Sequence, residues 1–216
     1  MSEKSNPKIY GVLGFPAKHS FSPAMHNAAF SALKINAKYE SFEVKPGDLE
    51  NFLEQMGEKN IFGLNITVPY KEKMLEYVEI DKSSFGVREI RAVNTVRRES
   101  NGKLKGFNTD WPGFSRHLKE EGFDPANKKA AILGAGGGAK AVAYILAQSK
   151  AEEIAIFDID EKKSKDVANL IRGLFPDFRI FHTENIKKLN EQAKIEVEIR
   201  LKEPDKYITE ICWDLN

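Results

Sequence analysis

A chain of 216 residues has room for one large domain or two small ones, each with its own core. Hydrophobic residues at 41% and charged residues at 30%, with 15 Gly and 9 Pro, exclude a disordered, collagen-like or low-complexity chain. Lys and Arg total 33 against 32 Asp and Glu, so a net charge of +1 offers no basic excess for a polyanion or a membrane surface.

The N-terminal Met-Ser-Glu-Lys-Ser-Asn-Pro-Lys is polar and has no apolar core of a signal peptide. The most apolar stretch, Ala130–Ala147, is broken by glycines and Lys140, which a membrane span does not tolerate. Cys212 has no second cysteine to pair with, in keeping with a reducing compartment. The expectation is a soluble, cytoplasmic chain.

Lys8–Gly14 is a short apolar run ending in Gly-Phe-Pro and reads as a buried strand followed by a loop. Ser22-Pro23 predicts a helix start, with Ser at the N-cap, Pro at the first helical position and the helix over 24–33. Ala37–Val44 alternates as a strand does. Pro46-Gly47 closes it, and Asp48 is the expected cap of a helix over 49–57. Ile61–Val68 is a third strand, ended by Pro69. Strand and helix in alternation predict a mainly parallel α/β sheet.

Past Lys71 the chain turns amphipathic through Met74, Leu75 and Val78. Ala92–Arg98 and Leu104–Phe107 flank Asn101-Gly102, a hairpin signal. A connecting helix is expected over Trp111–Gly122, and Asp124-Pro-Ala-Asn127 is the expected domain boundary, giving units 1–123 and 124–216. A new strand, Lys128–Gly134, runs directly into a glycine-rich turn and a helix over 139–148, then Glu153–Asp158 as the next strand. Beyond Phe175 the pattern weakens to a strand at Arg179–His182 and a helix over 186–193.

The turn carries Gly134, Ala135, Gly136, Gly137, Gly138 and Ala139. Glycines between a strand and a helix let backbone N–H groups approach a pyrophosphate with no Cβ in the way. Gly134, Gly136 and Ala139 fit the dinucleotide fingerprint, and Asp158 stands 24 residues after Gly134, near where a carboxylate receives the ribose hydroxyls. A carboxylate repels a 2′-phosphate, so NAD is favoured and NADP is the alternative, with Lys162 and Lys163 close enough to soften the preference. The plain alternative is a tight strand–helix turn that binds nothing.

The first half holds Ser20, Ser22, Asn65, Thr67, Asn94, Thr95, Asn108 and Thr109 beside apolar segments. Taken singly, each reads as turn or cap chemistry. Together, at strand ends, they mark the side of an open α/β sheet where ligands bind. His19 and His26 lack the further converging ligands of a metal site and read as structural, and no metal is expected. His117 and His182 read as isolated surface residues.

Five motifs, in this order, carry a resemblance: Gly14-Phe-Pro-Ala-Lys-His-Ser20-Phe-Ser22-Pro-Ala-Met-His-Asn27, Asn65-Ile-Thr67-Val-Pro-Tyr-Lys71, Ala92-Val-Asn94-Thr95, Gly106-Phe-Asn108-Thr109-Asp110 and Gly134-Ala-Gly-Gly. From about Ile9 to about Asp160 the chain resembles the shikimate dehydrogenase family and its quinate/shikimate relatives. The resemblance implies an α/β protein with an N-terminal substrate-binding domain followed by an incomplete Rossmann-type domain. It implies reversible reduction of 3-dehydroshikimate to shikimate with a nicotinamide cofactor, in chorismate and aromatic amino acid biosynthesis. It also implies that Ser20 and Ser22 hold the substrate carboxylate, that Asn65, Thr67, Asn94 and Asp110 hold the ring hydroxyls, and that Lys71 and Asp110 form the catalytic pair. By themselves, Lys71 reads as a solvated lysine after a proline turn and Asp110 as a helix cap ahead of Trp111-Pro112. The implied partner is a small molecule, and a half-built Rossmann sheet that leaves apolar surface uncovered predicts a partner chain such as a homodimer, an altered fold or marginal stability.

Three departures from the family pattern stand out. Arg91 precedes Ala92-Val-Asn-Thr where the family has Gly. Asp158-Ile159-Asp160 stands where relatives that use NADP carry Asn-Arg-Thr, which again favours NAD. The Asn-Ala-Thr-Pro-type strand end and the Gln-bearing C-terminal helix of the family are not found, and Ile211–Asn216 matches a late strand only weakly. A second class of function, a non-catalytic ligand-binding remnant or truncated gene product, therefore stands beside the oxidoreductase.

Overall fold

The computed structural model describes residues 6–82, 84 and 86–184. The chain divides into two compact units, Met1–Thr109 and Asp110–Asn216. This division places the helix that begins at Asp110 with the second unit, whereas the sequence boundary was expected at 123/124.

The first unit is built on β1 (Lys8–Gly14), α1 (Ser22–Ala32), β2 (Ala37–Glu43), α2 (Leu49–Glu54), β3 (Ile61–Ile66), β4 (Glu79–Ile80), α3 (Val87–Ile90), β5 (Thr95–Arg98) and β6 (Leu104–Phe107). Its sheet has the order β2-β1-β3-β5-β6-β4. β1 lies parallel between β2 and β3, and β4 runs parallel to β6. β5 is antiparallel to both its neighbours, as the hairpin signal requires, and Gly102 supplies the turn with φ +83°. Met56, Ile61, Ile66, Met74 and Leu49 form the core beneath the sheet, and the ring of Phe42 meets that of Phe52 at 5.2 Å.

Two helix starts differ from expectation. Ser22 is the first helical residue and Phe21 the N-cap, which makes no side-chain cap bond. Ser20 acts instead, its Oγ accepting the Ser22 N–H at 3.2 Å. Asp48 makes no side-chain cap bond to α2, because Pro46–Asp48 already winds as a 3-10 turn leading into the helix.

The second unit comprises α4 (Asp110–Glu120), β7 (Lys129–Leu133), α5 (Gly137–Gln148), β8 (Glu153–Phe157), α6 (Glu161–Leu174) and β9 (Arg179–His182). Its strands are parallel in the order β7-β8-β9, two successive strand–helix–strand units. Ile154, Ile156, Ile145, Val167 and Ile171 are its buried centre. Buried Glu153, at the start of β8, is neutralised by Lys129 at 3.2 Å and Arg179 at 2.9 Å. The helix expected over 186–193 and the stretch Ile211–Asn216 lie outside the described residues. No helix among the described residues is long and apolar enough to cross a membrane.

Candidate active site

In the first unit the sheet topology gathers the polar residues. β3 and β6 run the same way and β5 opposes them, so the ends of β1, β3 and β6 and the start of β5 share one end of the sheet. Ser20, Asn65, Thr67, Asn94, Thr95, Asn108 and Thr109 lie on those strand ends or the loops just beyond them. Ligands bind at this end of open α/β sheets. A shallow depression of about 310 Å³ lies at the opposite end, lined by Glu50, Tyr77, Arg98 and Leu104 among others.

The loop after β1 is fixed from several sides. The Phe15 N–H donates to the Val68 carbonyl at 2.9 Å, and the Ser41 hydroxyl donates to the Ala17 carbonyl at 2.7 Å. The Ala17 N–H donates to Glu43 Oε2 at 3.3 Å, and Lys18 Nζ stands 3.4 Å from the other oxygen. The Ala17 N–H, with the Lys18 charge behind it, holds the Glu43 carboxyl below the usual carboxylate range. Gly14 has no room for a side chain, since a Cβ would press on Thr67 and lie 3.0 Å from the Val68 carbonyl.

Lys71 is half-buried just past Val68-Pro69-Tyr70. The Tyr70 hydroxyl donates to the Val44 carbonyl, and burial, then the Asp48 charge, pushes its phenol pKa up. The Lys71 carbonyl accepts the Val93 N–H at 2.7 Å, which ties the lysine's backbone to the segment carrying Asn94. Arg91, where the resemblance expects Gly, has φ +55° and an exposed side chain. A left-handed residue ends α3 at this point, so the backbone shows why glycine suits it.

Asn65, Asn94, Thr95 and Thr109 form one hydrogen-bonded chain, joined at its far end by Tyr39. The Asn108 amide donates to the Ala92 carbonyl at 2.9 Å and is buried, which makes it a brace for the loop. In the sequence Thr95 and Thr109 read as part of this polar strand-end group without a role of their own, and Tyr39 does not read as a site residue at all. The alternation of 37–44 signals a half-buried strand, not which of its side chains carries a useful hydroxyl.

Lys71 belongs to the first unit and Asp110, half-buried at the start of α4, to the second. His26 stacks on Tyr39 with ring centroids 4.2 Å apart. His182, expected at the surface, is instead half-buried, its Nδ1 4.0 Å from Glu161, because it ends β9 beside α6. Among the described residues no group of three or more His, Cys, Asp or Glu could hold a metal ion.

In the second unit Gly134 bends with φ +93°, a conformation few side chains tolerate, between β7 and the start of α5. Gly137 and Gly138 open that helix, so its free N–H groups face the turn. Asp158 Oδ2 accepts the Ala135 N–H at 2.7 Å, and Oδ1 accepts the Asp160 N–H at 2.8 Å. The acidic residue thus clamps the glycine turn to the end of β8.

The family model of the shikimate dehydrogenase substrate binding domain matches residues 12–96. A shikimate dehydrogenase (NADP(+)) from Caldanaerobacter subterraneus is 40% identical over 194 residues, covering 88% of this chain and 68% of that protein. The chain belongs to the shikimate dehydrogenase family. A second family member, the shikimate dehydrogenase (NADP(+)) from Methanopyrus kandleri, is 47% identical over 158 residues, which is 72% of this chain and 53% of its own. The crystal structure of shikimate 5-dehydrogenase from Listeria monocytogenes in complex with shikimate and NAD is 30% identical with a TM-score of 0.71, over 89% of this chain and 68% of that one. This chain therefore spans about half to two thirds of the length of such relatives.

Proposed function

We propose that the chain is a nicotinamide-dependent oxidoreductase that interconverts 3-dehydroshikimate and shikimate. The first unit, with residues up to about 123, holds the substrate and the remainder holds the dinucleotide. The observation that carries this reading is the gathering of Ser20, Asn65, Thr67 and Asn94 at one end of the sheet, beside the loop that delivers Lys71. Ser20 and Ser22 receive the substrate carboxylate. Asn65, Thr67, Asn94 and Asp110 hold the ring hydroxyls.

Hydride is what a nicotinamide dinucleotide would supply or take up when bound at the glycine turn. Reduction of the ketone leaves an alkoxide that needs a proton, and Lys71 donates it from Nζ while its charge stabilises the developing oxyanion. Asp110 accepts a hydrogen bond from the reacting hydroxyl and balances the lysine charge. Gly134–Ala139 fit a pyrophosphate, because the turn offers backbone N–H groups at the start of α5 and its first residues have no side chains in the way.

NAD is the preferred cofactor in this reading. Asp158 places a carboxylate at the glycine turn, and the next residue, Ile159, is 97% exposed and brings no cation for a 2′-phosphate. The two relatives above are named for NADP(+) and the Listeria monocytogenes structure for NAD, so the two cofactors must be compared directly. A cytoplasmic setting accords with the single cysteine. A homodimer belongs to the same reading, supported by Leu133 standing 43% exposed on the outer strand β7, and sedimentation velocity checks it.

The test is to mix the protein with shikimate and NAD or NADP and follow the appearance of reduced nicotinamide. Turnover that Lys71→Ala lowers by about a hundredfold or more supports the reading. A higher kcat/KM with NADP overturns the cofactor preference. Folded protein that binds shikimate but turns over neither cofactor points to a ligand-binding role.

A further inference from the structure

Tyr39 is 4% exposed, and its ring is held by stacking on His26. Its strand is anchored from α1, where the Asn27 amide donates to the Tyr39 carbonyl at 2.8 Å and accepts the Tyr39 N–H at 2.9 Å. The hydroxyl ends 2.7 Å from Asn65 Oδ1. From there polar groups run without a break through Thr95 and Asn94 to Thr109.

The direction of every bond in this chain follows from one fixed donor. The Thr109 backbone N–H can only donate, and it does so to Asn94 Oδ1 at 2.9 Å. That fixes the Asn94 amide, whose Nδ2 donates to Thr109 Oγ1 at 2.9 Å. Thr95 Oγ1 lies 3.0 Å from the same Asn94 oxygen and must give its proton there. It is then left to accept, from Asn65 Nδ2 at 3.4 Å, a long bond that does little to hold the amide alone. Asn65 Oδ1 therefore faces Tyr39, which must donate. Burial pushes the Tyr39 phenol pKa up, so that proton stays in place.

We propose that Tyr39 is a positioning residue for substrate: its hydroxyl holds the Asn65 amide in the one orientation that continues the hydrogen-bond chain to Thr95, Asn94 and Thr109. The consequence for recognition is that Asn65 turns its N–H side toward the chain of site residues and its oxygen away, toward Tyr39. A ligand oxygen is received there as an acceptor. This deepens the proposed function, since it rests on Asn65 and Asn94 holding the ring hydroxyls.

Tyr39→Phe removes the hydroxyl and keeps the ring that stacks on His26. Three readouts separate positioning from mere stability: the Asn65 side-chain amide signals by nitrogen-15 NMR, assigned with Asn65→Asp; the shikimate Kd by calorimetry; and the same Kd change measured in an Asn65→Ala background. The Asn65 amide pair is expected to shift and broaden and the Kd to rise about five- to tenfold, with no further rise in the Asn65→Ala background. In turnover the loss appears in KM with kcat nearly unchanged. Unmoved Asn65 amide signals, or an equal Kd penalty with and without Asn65, overturn it. A wild-type chain that does not bind shikimate overturns the proposed function instead, while the amide signals still decide whether Tyr39 holds Asn65. Should Tyr39→Phe fail to fold, Thr95→Val cuts the other side of the same amide and is expected to move the same signals.

Discussion

At Gly11 a single hydrogen in place of a methyl group decides how closely β1 and β2 approach. A Cβ there would lie 2.5 Å from the Glu40 carbonyl oxygen and press on the Phe42 ring. The ring can turn, but the carbonyl belongs to β2 and is fixed by the parallel pairing with β1. Gly11→Ala is therefore expected to destabilise the first unit by about 1–3 kcal/mol, read as a lower urea midpoint. Glu43 works at the same scale on the loop that carries Ser20. Its folded pKa lies below the ordinary glutamate value of roughly 4.3, because the Ala17 N–H and Lys18 favour the charged form. A lowered folded pKa gives a contribution that is complete above the unfolded value and is lost as pH falls through the folded one. Urea midpoints of the wild type and Glu43→Gln should differ near neutrality and converge below about pH 4. A difference that persists into acid would show that it does not depend on the Glu43 charge, and no difference at neutrality would leave the loop's order to the Ser41 and Phe15 bonds.

Elements show where sequence signals carry and where they fade. β1, β2, β3 and the Asn101-Gly102 hairpin are legible because apolar runs, alternation and turn residues agree there. α6 is not, although its buried positions Ser164, Val167, Ala168 and Ile171 keep helical spacing. Serine and alanine fill two of the four buried positions among lysines and acids, so the helix is polar on average even though its two faces separate well. The polar cluster at strand ends was readable residue by residue through Asn65, Thr67 and Asn94. Tyr39 was not, because its role depends on which strand β2 pairs with, and pairing is set by tertiary contacts. Asp158 was readable as a residue, but its bond to the Ala135 N–H, which clamps the glycine turn, was not. Ala135 is 2% exposed, so removing the carboxylate leaves a buried donor without its partner. Asp158→Ala should cost the second unit about 1–3 kcal/mol and speed hydrogen exchange at Ala135, whether or not cofactor is present. If exchange at Ala135 stays slow, the turn is held by the glycine backbone itself.

For the whole molecule, the division at Thr109/Asp110 sets how the chain should lose its structure. Each unit has its own sheet and its own buried centre: Met56, Ile61 and Met74 in one, Ile154, Ile156 and Val167 in the other. Chains with separate cores depart from all-or-none unfolding, and a ligand stabilises the unit that binds it. Calorimetry should therefore show two transitions that answer to different ligands. Shikimate at about a hundred times its Kd should raise one by about 2.7 kcal/mol, and NAD at the same excess the other. Gly11→Ala should lower the transition that shikimate raises, and Asp158→Ala the one that NAD raises, which ties each transition to its unit without cutting the chain. A single transition moved equally by both ligands and both substitutions would mean that the two cores unfold as one, and would remove the basis for assigning one ligand to each unit.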